Sequence, residues 1–203
     1  MTAEDWFARM PTLQTPRLTL RKVTQRDTAD FFAYASDPEV ARYVLWEAHR
    51  DRARTRGVIR QIRREYRLGL PSSYAVCLRD GAGGEKMIGT IGFTAWYPDL
   101  ETVELGYSLA RAYWGRHLAT EALQALVAHC FDTMGLRRVE ALHDAENPAS
   151  GRVMANVGMR LEGTLRQRAR NKGQWRTVCL WAMLREDPRP PETDWSRETA
   201  RGG

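Results

Sequence analysis

One segment of the sequence constrains the fold more than any other. Across residues 118–134, apolar side chains recur at intervals of three and four positions, and Gly135 follows, as is typical of a long amphipathic helix that ends at a glycine. Residues 102–110 before this segment and 137–145 after it read as strands. A strand, a helix and a strand in this order require a right-handed crossover between parallel strands, so we expect an α/β fold.

The rest of the chain adds antiparallel pairing to this unit. Residues 73–79 and 86–96 are strand-like and are separated by a turn segment, which predicts an antiparallel meander that continues into 102–110. The remaining predicted elements are a strand at 17–23, a helix opened by Thr24 and Asp27, a further helix within 50–67, a short helix at 148–157, and two last strands at 160–167 and 175–184. We therefore predict a mixed, mostly antiparallel central sheet of about seven strands flanked by about four helices.

Length and composition favour one domain. The 203 residues can bury one sizeable core, and we expect a single domain at 13–185 with loose termini at 1–12 and 186–203. No apolar run approaches the roughly 20 residues that cross a bilayer, and the first residues lack the pattern of a signal peptide. We therefore expect a cytoplasmic protein without a membrane partner, either a monomer or a homodimer.

Charge and cysteine content exclude little by themselves. The net charge of +6 is typical of proteins that bind nucleic acids, but 28 arginines against three lysines is also what a GC-rich genome produces without functional selection. Nucleic acid therefore stays open as a partner. Cys77, Cys130 and Cys179 are too scattered for a disulfide framework or a metal knuckle, so we expect reduced thiols and no metal site.

The loop between the strand at 102–110 and the long helix is a candidate phosphate site. The first N–H groups of a helix lack intrahelical partners and lie at the positive end of its dipole, so they bind anions. Gly115 would let the backbone approach closely, and Arg111 and Arg116 could add charge-assisted hydrogen bonds. The alternative is a strand-to-helix turn in which the glycine serves geometry alone.

This loop belongs to a longer pattern. The segments VELGYSLARAYWGRHLATEAL and NPASGRVMANVGMRLEGTLR resemble the GNAT superfamily of acyl-CoA-dependent N-acetyltransferases, most closely its ribosomal-protein N-terminal acetyltransferase (RimJ/RimL-like) branch, with a match over residues 13–184. Members of this branch often have a glycine where His117 stands. We expect that position to need only its backbone N–H and not a positive φ.

The resemblance implies acetyl-CoA as the cosubstrate and a splayed sheet in which cofactor and amine meet. It places the pyrophosphate on the amides of residues 115–120 and the pantetheine arm beside residues 105–109, with Asn147 binding that arm. The implied cofactor-binding residues are Leu105, Tyr107, Leu109, Arg111, Gly115, Arg116, His117, Leu118, Ala119, Thr120, Asn147 and Ser150. A backbone N–H near Leu109 would polarise the thioester carbonyl.

Amide formation requires a neutral amine, so a base must take the proton of the ammonium. Glu104 is the candidate, because strand alternation puts it on the face opposite Val103 and Leu105, and relatives often carry a glutamate there. A merely solvated carboxylate is the alternative reading, and Glu101 and Asp99 are weaker candidates.

The general acid is harder to assign. Met154 stands where many GNAT enzymes carry a tyrosine, so the resemblance points to Ser150, which would protonate the leaving thiolate. Asn147 before Pro148 also has the pattern of a helix N-cap, and Ser150 would then be an ordinary residue of the first turn.

The function predicted from these residues is acetyl transfer to a primary amine, with the N-terminal α-amine of a protein or peptide as the expected acceptor. The arginine-rich segment 50–67, which borders the acceptor entrance in the resembled family, would favour an acceptor with nearby anionic groups, unless it is only a solvated face. The alternatives are a small amine metabolite or antibiotic as acceptor, and a non-catalytic acyl-CoA-sensing or RNA- or ribosome-binding module on the same fold.

Overall fold

The computed structural model describes residues 3–190, which form one mixed sheet with helices on both faces. The strands are β1 (Leu13–Gln14), β2 (Leu18–Lys22), β3 (Ser73–Arg79), β4 (Glu85–Tyr97), β5 (Thr102–Leu109), β6 (Arg138–Asp144), β7 (Arg160–Asn171) and β8 (Gln174–Leu184). They lie in the order β1-β2-β3-β4-β5-β6-β8-β7, and β5–β6 is the parallel pair of this sheet.

The α-helices are α1 (Ala3–Arg9), α2 (Thr28–Ala35), α3 (Pro38–Ala41), α4 (Arg52–Leu68), α5 (Leu118–Asp132) and α6 (Pro148–Val157). The prediction of a mixed, mostly antiparallel sheet is confirmed. The counts in the described residues are eight strands and six helices instead of about seven and four, because β1, α1 and α3 are too short to show a periodic pattern.

The helix boundaries follow from local chemistry. Thr24 and Asp27 form the predicted capping box, which opens a turn of 3-10 helix that leads into α2. The Asp51 carboxylate accepts the Arg54 N–H at 2.8 Å to begin α4, and Gly69 ends that helix with a φ of 63°.

The N-terminal segment differs from the expectation of a loose terminus. Phe7 and Met10 are buried in the core, and the Phe7 ring lies 5.0 Å from the Phe93 ring on β4. Two large apolar side chains, one on this short helix and one directly after it, are enough to bind the segment to the sheet, although they are too few to produce a visible period. At the other end, Arg189 pairs with Asp132, and residues 191–203 of the predicted loose terminus lie outside the described residues.

Within residues 3–190, no helix combines the length and the apolar character that a membrane span needs.

Candidate active site

The sheet opens between its two parallel strands. β5 and β6 pair from Thr102 opposite Arg138 to Leu105 opposite Ala141, and the ladder ends there. β5 itself continues to Leu109, paired with β4 on its other side. The last residues of β5 therefore border a gap in which β6 no longer supplies hydrogen-bond partners.

Antiparallel pairing determines which backbone groups face this gap. The Ala110 N–H donates to the Ile88 carbonyl at 2.7 Å, and in an antiparallel ladder residues alternate between bonding the partner strand and pointing away from it. Ser108 and Gly106 therefore bond β4, whereas the N–H groups of Tyr107 and Leu109 point toward the gap. The Leu109 carbonyl accepts the Trp114 indole N–H at 2.8 Å, which ties the following loop to the strand end.

That loop and the start of α5 present backbone N–H groups at one end of the gap. The first N–H of the segment with an intrahelical acceptor is that of Glu121, which donates to the His117 carbonyl at 3.0 Å. The preceding amides of the first turn are thus available to an anion. Gly115 has a φ of 72° and His117 a φ of 56°. Our expectation that the His117 position needs no positive φ is therefore wrong: histidine adopts the left-handed conformation here.

A buried carboxylate holds the first turn of α5 in place. Glu121, with its side chain 1% exposed, accepts the Arg17 backbone N–H at 2.8 Å and pairs with the Arg17 guanidinium at 2.6 Å. Charge-assisted bonds of this length hold their partners firmly. The start of β2 and the N-terminal end of α5 are therefore joined rigidly through the core.

A cleft of about 560 Å³ occupies the gap and runs to this helix end. The predicted residues that line it are Tyr107, Leu109, Gly115, His117, Leu118, Ala119, Thr120, Asn147 and Ser150. Leu105 is buried in the core, Arg111 pairs with Asp37 at 2.9 Å, and the Arg116 guanidinium lies over the Tyr113 ring, so the structure does not bring these three predicted residues into the lining. Long exposed side chains choose their partners in the tertiary structure, which residue spacing does not reveal.

The two hydroxyls of the cleft are hydrogen-bonded to each other. The Tyr107 hydroxyl lies 2.8 Å from Ser150 Oγ and 3.0 Å from the Ser150 carbonyl oxygen. Burial raises the pKa of Tyr107 well above its usual value, so the phenol stays protonated. The Asn147 side chain accepts the Ser150 N–H at 3.4 Å, which makes Asn147 the N-cap of α6 and leaves its amide at the cleft. The sequence analysis missed the Tyr107 hydroxyl, although a tyrosine on a buried strand face needs a polar partner.

Glu104 lies on the opposite face of β5, outside the cleft lining. Its carboxylate accepts the Thr94 hydroxyl at 2.6 Å. Thr94 reaches it because β4 has a β-bulge between Phe93 and Ala95. Ser108 shares this face, where its hydroxyl lies 3.4 Å from that of Thr90. The candidate base lies in the part of β5 that still pairs with β6, opposite Glu140, and on the face of β5 opposite the Tyr107 side chain that bonds Ser150.

Several other buried side chains with reactive or polar groups have purely structural surroundings. Met154 is buried in the core, and the His143 ring bonds the Asp144 carbonyl under α6. His49 is buried and its ring bonds the Thr55 hydroxyl at 2.9 Å. Burial raises the pKa of the Cys77 thiol to about 12.

The arginine-rich helix α4 does not border the cleft in this structure. The wall that faces the helix N-terminus is built by α3 and the loop after it, including Val40, Arg42 and Tyr43. Arg152 and Asn156 of α6 also line the cleft, and sequence reasoning missed all of these because no local pattern marks them.

Similarity to known proteins extends over most of the chain. A family model described as an acetyltransferase (GNAT) domain matches residues 17–160. The N-acetyltransferase p20 of Bacillus licheniformis is 32% identical over 178 residues, which are 88% of this chain and 98% of that protein. The ribosomal-protein-serine acetyltransferase of Escherichia coli is 33% identical over 100 residues, 49% of this chain and 56% of that protein. A GNAT-family acetyltransferase structure from Bacillus anthracis matches with a TM-score of 0.76 at 27% identity, over 87% of this chain and 100% of that one.

Proposed function

The chain belongs to the GNAT family of acetyltransferases, and from this premise we propose that it transfers the acetyl group of acetyl-CoA to the N-terminal α-amine of a protein or peptide. The observation that carries the proposal is the gap between β5 and β6, which holds a cleft with strand backbone groups at one end and a helix N-terminus at the other. An elongated cofactor with a pyrophosphate and an amide-containing arm fits both ends.

The cofactor is proposed to bind mainly through backbone groups. The amides of residues 115–120 hold the pyrophosphate, and the Tyr107 and Leu109 backbone groups pair with the amides of the pantetheine arm. With the arm in this register, the Leu109 N–H faces the thioester carbonyl and stabilises the oxyanion that forms during attack. Arg152 at the cleft adds positive charge for the phosphates.

The chemical step needs one base and one acid. Glu104 removes the proton of the ammonium, directly or through water, and the neutral amine attacks the thioester carbonyl. Ser150 then protonates the departing thiolate, and the proton that the attacking nitrogen loses on forming the amide returns to Ser150, directly or through water. Tyr107 positions Ser150: its hydroxyl donates to the Ser150 carbonyl oxygen and lies 2.8 Å from Ser150 Oγ, which holds the serine side chain at the cleft. Transfer is direct, because the pKa of the buried Cys77 and Cys130 thiols is raised and a thiolate nucleophile is scarce.

The choice of acceptor rests on amine acidity and on one relative. An α-amine with a pKa of about 7.8 is roughly one-tenth neutral at pH 7, whereas a lysine side chain with a pKa of about 10.4 is neutral in well under a thousandth of molecules. The relative from Escherichia coli is named for acetylating a ribosomal protein. A peptide α-amine is therefore favoured over lysine side chains and polyamines.

The test is release of free CoA with a panel of acceptors at pH 7. We expect peptides with free N-termini to react at least tenfold faster, in kcat/KM, than the same peptides blocked at the N-terminus, spermidine or free amino acids. Preference for a free amino acid or a polyamine would instead assign a small-amine acetyltransferase.

Glu104→Gln in the same assay tests the base. We expect kcat to fall by about 10² to 10⁴, the usual contribution of a general base, with a smaller loss at higher pH because more amine is already neutral. The matched control is Glu101→Gln, three residues earlier on an exposed turn. A Glu104→Gln variant within a factor of two of the wild type, or an equal loss in Glu101→Gln, would place the base elsewhere.

A further inference from the structure

Helix α4 carries a one-sided row of arginines. Seven arginines of this helix are exposed. At 3.6 residues per turn, five of them fall within about 80° of the helix circumference and extend over about 22 Å of its length. We call these five the arginine stripe: Arg52, Arg56, Arg60, Arg63 and Arg67. The opposite flank carries Arg54 beside Val58, Gln61 and Glu65, and Arg64 lies between the two flanks, so five of the seven exposed arginines lie on one side of the helix.

Local acids do not neutralise the stripe. Among the ion pairs of residues 3–190, none includes an arginine of the stripe, whereas arginines such as Arg21, Arg138 and Arg176 elsewhere pair with carboxylates. The two acids nearest the stripe are engaged otherwise. Asp51 caps the helix, and Glu65 accepts from Gln61 and Ser72. Genome composition explains how many arginines the chain has, but not why those of the stripe form none of the ion pairs seen in residues 3–190.

The apolar side of α4 is not available for insertion into a membrane. Thr55, Ile59, Ile62 and Tyr66 are buried against the rest of the fold. A helix that lies in a membrane interface must insert such an apolar face between lipids. Here that face is already occupied, so only the charged flank is available, and it fits a polyanion.

We propose that the arginine stripe docks onto the phosphate backbone of an RNA. Guanidinium groups bind phosphates through paired hydrogen bonds, and like-charged neighbours four residues apart repel each other until counter-charges lie between them. Because α4 packs against α1 and α2, it cannot enter a groove as a recognition helix. The stripe arginines therefore contact phosphates and not base edges, and binding does not depend on the RNA sequence. The choice of RNA over DNA rests on the proposed function together with the relative named for acetylating a ribosomal protein, since an acceptor of that kind is bound to RNA.

Fluorescence anisotropy with a labelled 20-nucleotide single-stranded RNA, without acetyl-CoA, tests the proposal. We expect binding whose log Kd changes with log salt concentration at a slope of about 3 to 4, because each phosphate contact on a single strand contributes about 0.7. Two RNAs of unrelated sequence should bind within a factor of three of each other. A DNA strand that binds more tightly than RNA would overturn the choice of RNA.

The deciding variant replaces four stripe residues: Arg56→Gln, Arg60→Gln, Arg63→Gln and Arg67→Gln. We expect RNA affinity at 100 mM salt to fall at least tenfold and the salt slope to fall by about 3, while helix content is kept, since arginine and glutamine have similar helix propensities. The matched control removes four exposed arginines elsewhere, Arg26, Arg137, Arg166 and Arg168, and so gives the same net charge.

An equal loss of affinity in the control would show that net charge and not the stripe binds RNA, and would overturn the proposal. Competition by polyglutamate as effective as that by RNA would assign the stripe to an acidic protein instead. Acetylation of a free peptide should be unchanged in the stripe variant. The RNA proposal and the proposed acetyl transfer can therefore fail separately.

Discussion

At the scale of single residues, substitution of two glycines with positive φ can distinguish the effect of backbone strain from an effect on function. Gly115 lies in the loop before α5 with a φ of 72°, and Gly173 lies in the turn between β7 and β8 with a φ of 81°. A Cβ atom added at either position would meet no heavy atom of the described protein within 4 Å. A substitution to alanine therefore acts through the backbone conformation alone at both sites.

We expect Gly115→Ala and Gly173→Ala each to lower the free energy of unfolding by about 1 kcal/mol, because alanine resists the left-handed region. Gly115→Ala alone should weaken acetyl-CoA binding, by tenfold or more, since a shift of the loop misaligns the amides proposed to hold the pyrophosphate. Calorimetry with acetyl-CoA and urea unfolding measure the two effects. Unchanged affinity in Gly115→Ala would place the pyrophosphate elsewhere.

The Tyr107 hydroxyl is a positioning group in the proposed mechanism. The effect of its removal on kcat can be distinguished from its effect on stability. We expect Tyr107→Phe to lower kcat about tenfold with little change in the KM for acetyl-CoA, because the ring still fills its place while Ser150 loses its partner. Loss of the hydrogen bond should also cost about 1 kcal/mol of stability. Steady-state kinetics and thermal unfolding measure both.

Tyr66→Phe is the matched control for that variant. The Tyr66 hydroxyl bonds the Ser73 carbonyl and accepts the Val23 N–H at 3.0 Å, away from the residues that line the cleft. It should lose similar stability and keep its kcat. If kcat falls equally in both variants, the effect of Tyr107 is structural and Ser150 needs no positioning.

At the scale of elements, two buried histidines join helices to the core and should make stability depend on pH. The His129 ring on α5 meets the Trp6 ring of α1 edge-on at 5.5 Å, and burial lowers its pKa. The pKa of His49, just before α4, is lowered by burial and then by the charge of Arg54. Both rings are therefore neutral in the fold where an unfolded chain would begin to protonate them.

The direction of the pH effect follows from proton uptake. Below the unfolded pKa of about 6.5, the unfolded chain binds protons that the folded chain does not, so the free energy of unfolding falls as pH decreases. Above that pKa the contribution of the two histidines is fully present. We expect the Tm to be flat above pH 7 and to fall between pH 6.5 and 5, and His49→Gln with His129→Gln should flatten that fall. An unchanged slope in the double variant would contradict the assignment.

For the whole molecule, the sequence predicts helices and strands well where the hydrophobic periodicity agrees with the residues that begin and end the element. The strand predicted at 73–79 and the helix predicted at 148–157 have the same bounds in the structure, because alternation, Pro148 and Gly158 mark them locally. Helix α1 is not predicted, because its binding depends on Phe7 meeting Phe93, a contact made only in the tertiary structure.

The features of the candidate site also fall into those that local sequence predicts and those that depend on tertiary contacts. The loop around Gly115 and the cap at Asn147 are predictable because each is a local motif with its own chemistry. The bond between Tyr107 and Ser150 joins residues 43 positions apart and exists only once α6 lies against β5. The positive φ at His117 is also hidden from the sequence, because the neighbouring structure imposes it on a residue that does not favour it.

The end of the β5–β6 ladder makes β5 a strand with two populations of amide hydrogens. Gly106 and Ser108 donate into β4, whereas Tyr107 and Leu109 face the gap, so hydrogen exchange followed by NMR should alternate slow and fast at successive residues. We expect acetyl-CoA to slow exchange at Tyr107 and Leu109 and to leave Gly106 and Ser108 nearly unchanged. Uniform exchange along these four residues would contradict the register. Cofactor binding can therefore be detected from the exchange rates of alternate amide hydrogens along β5, in a measurement that needs neither turnover nor an identified acceptor.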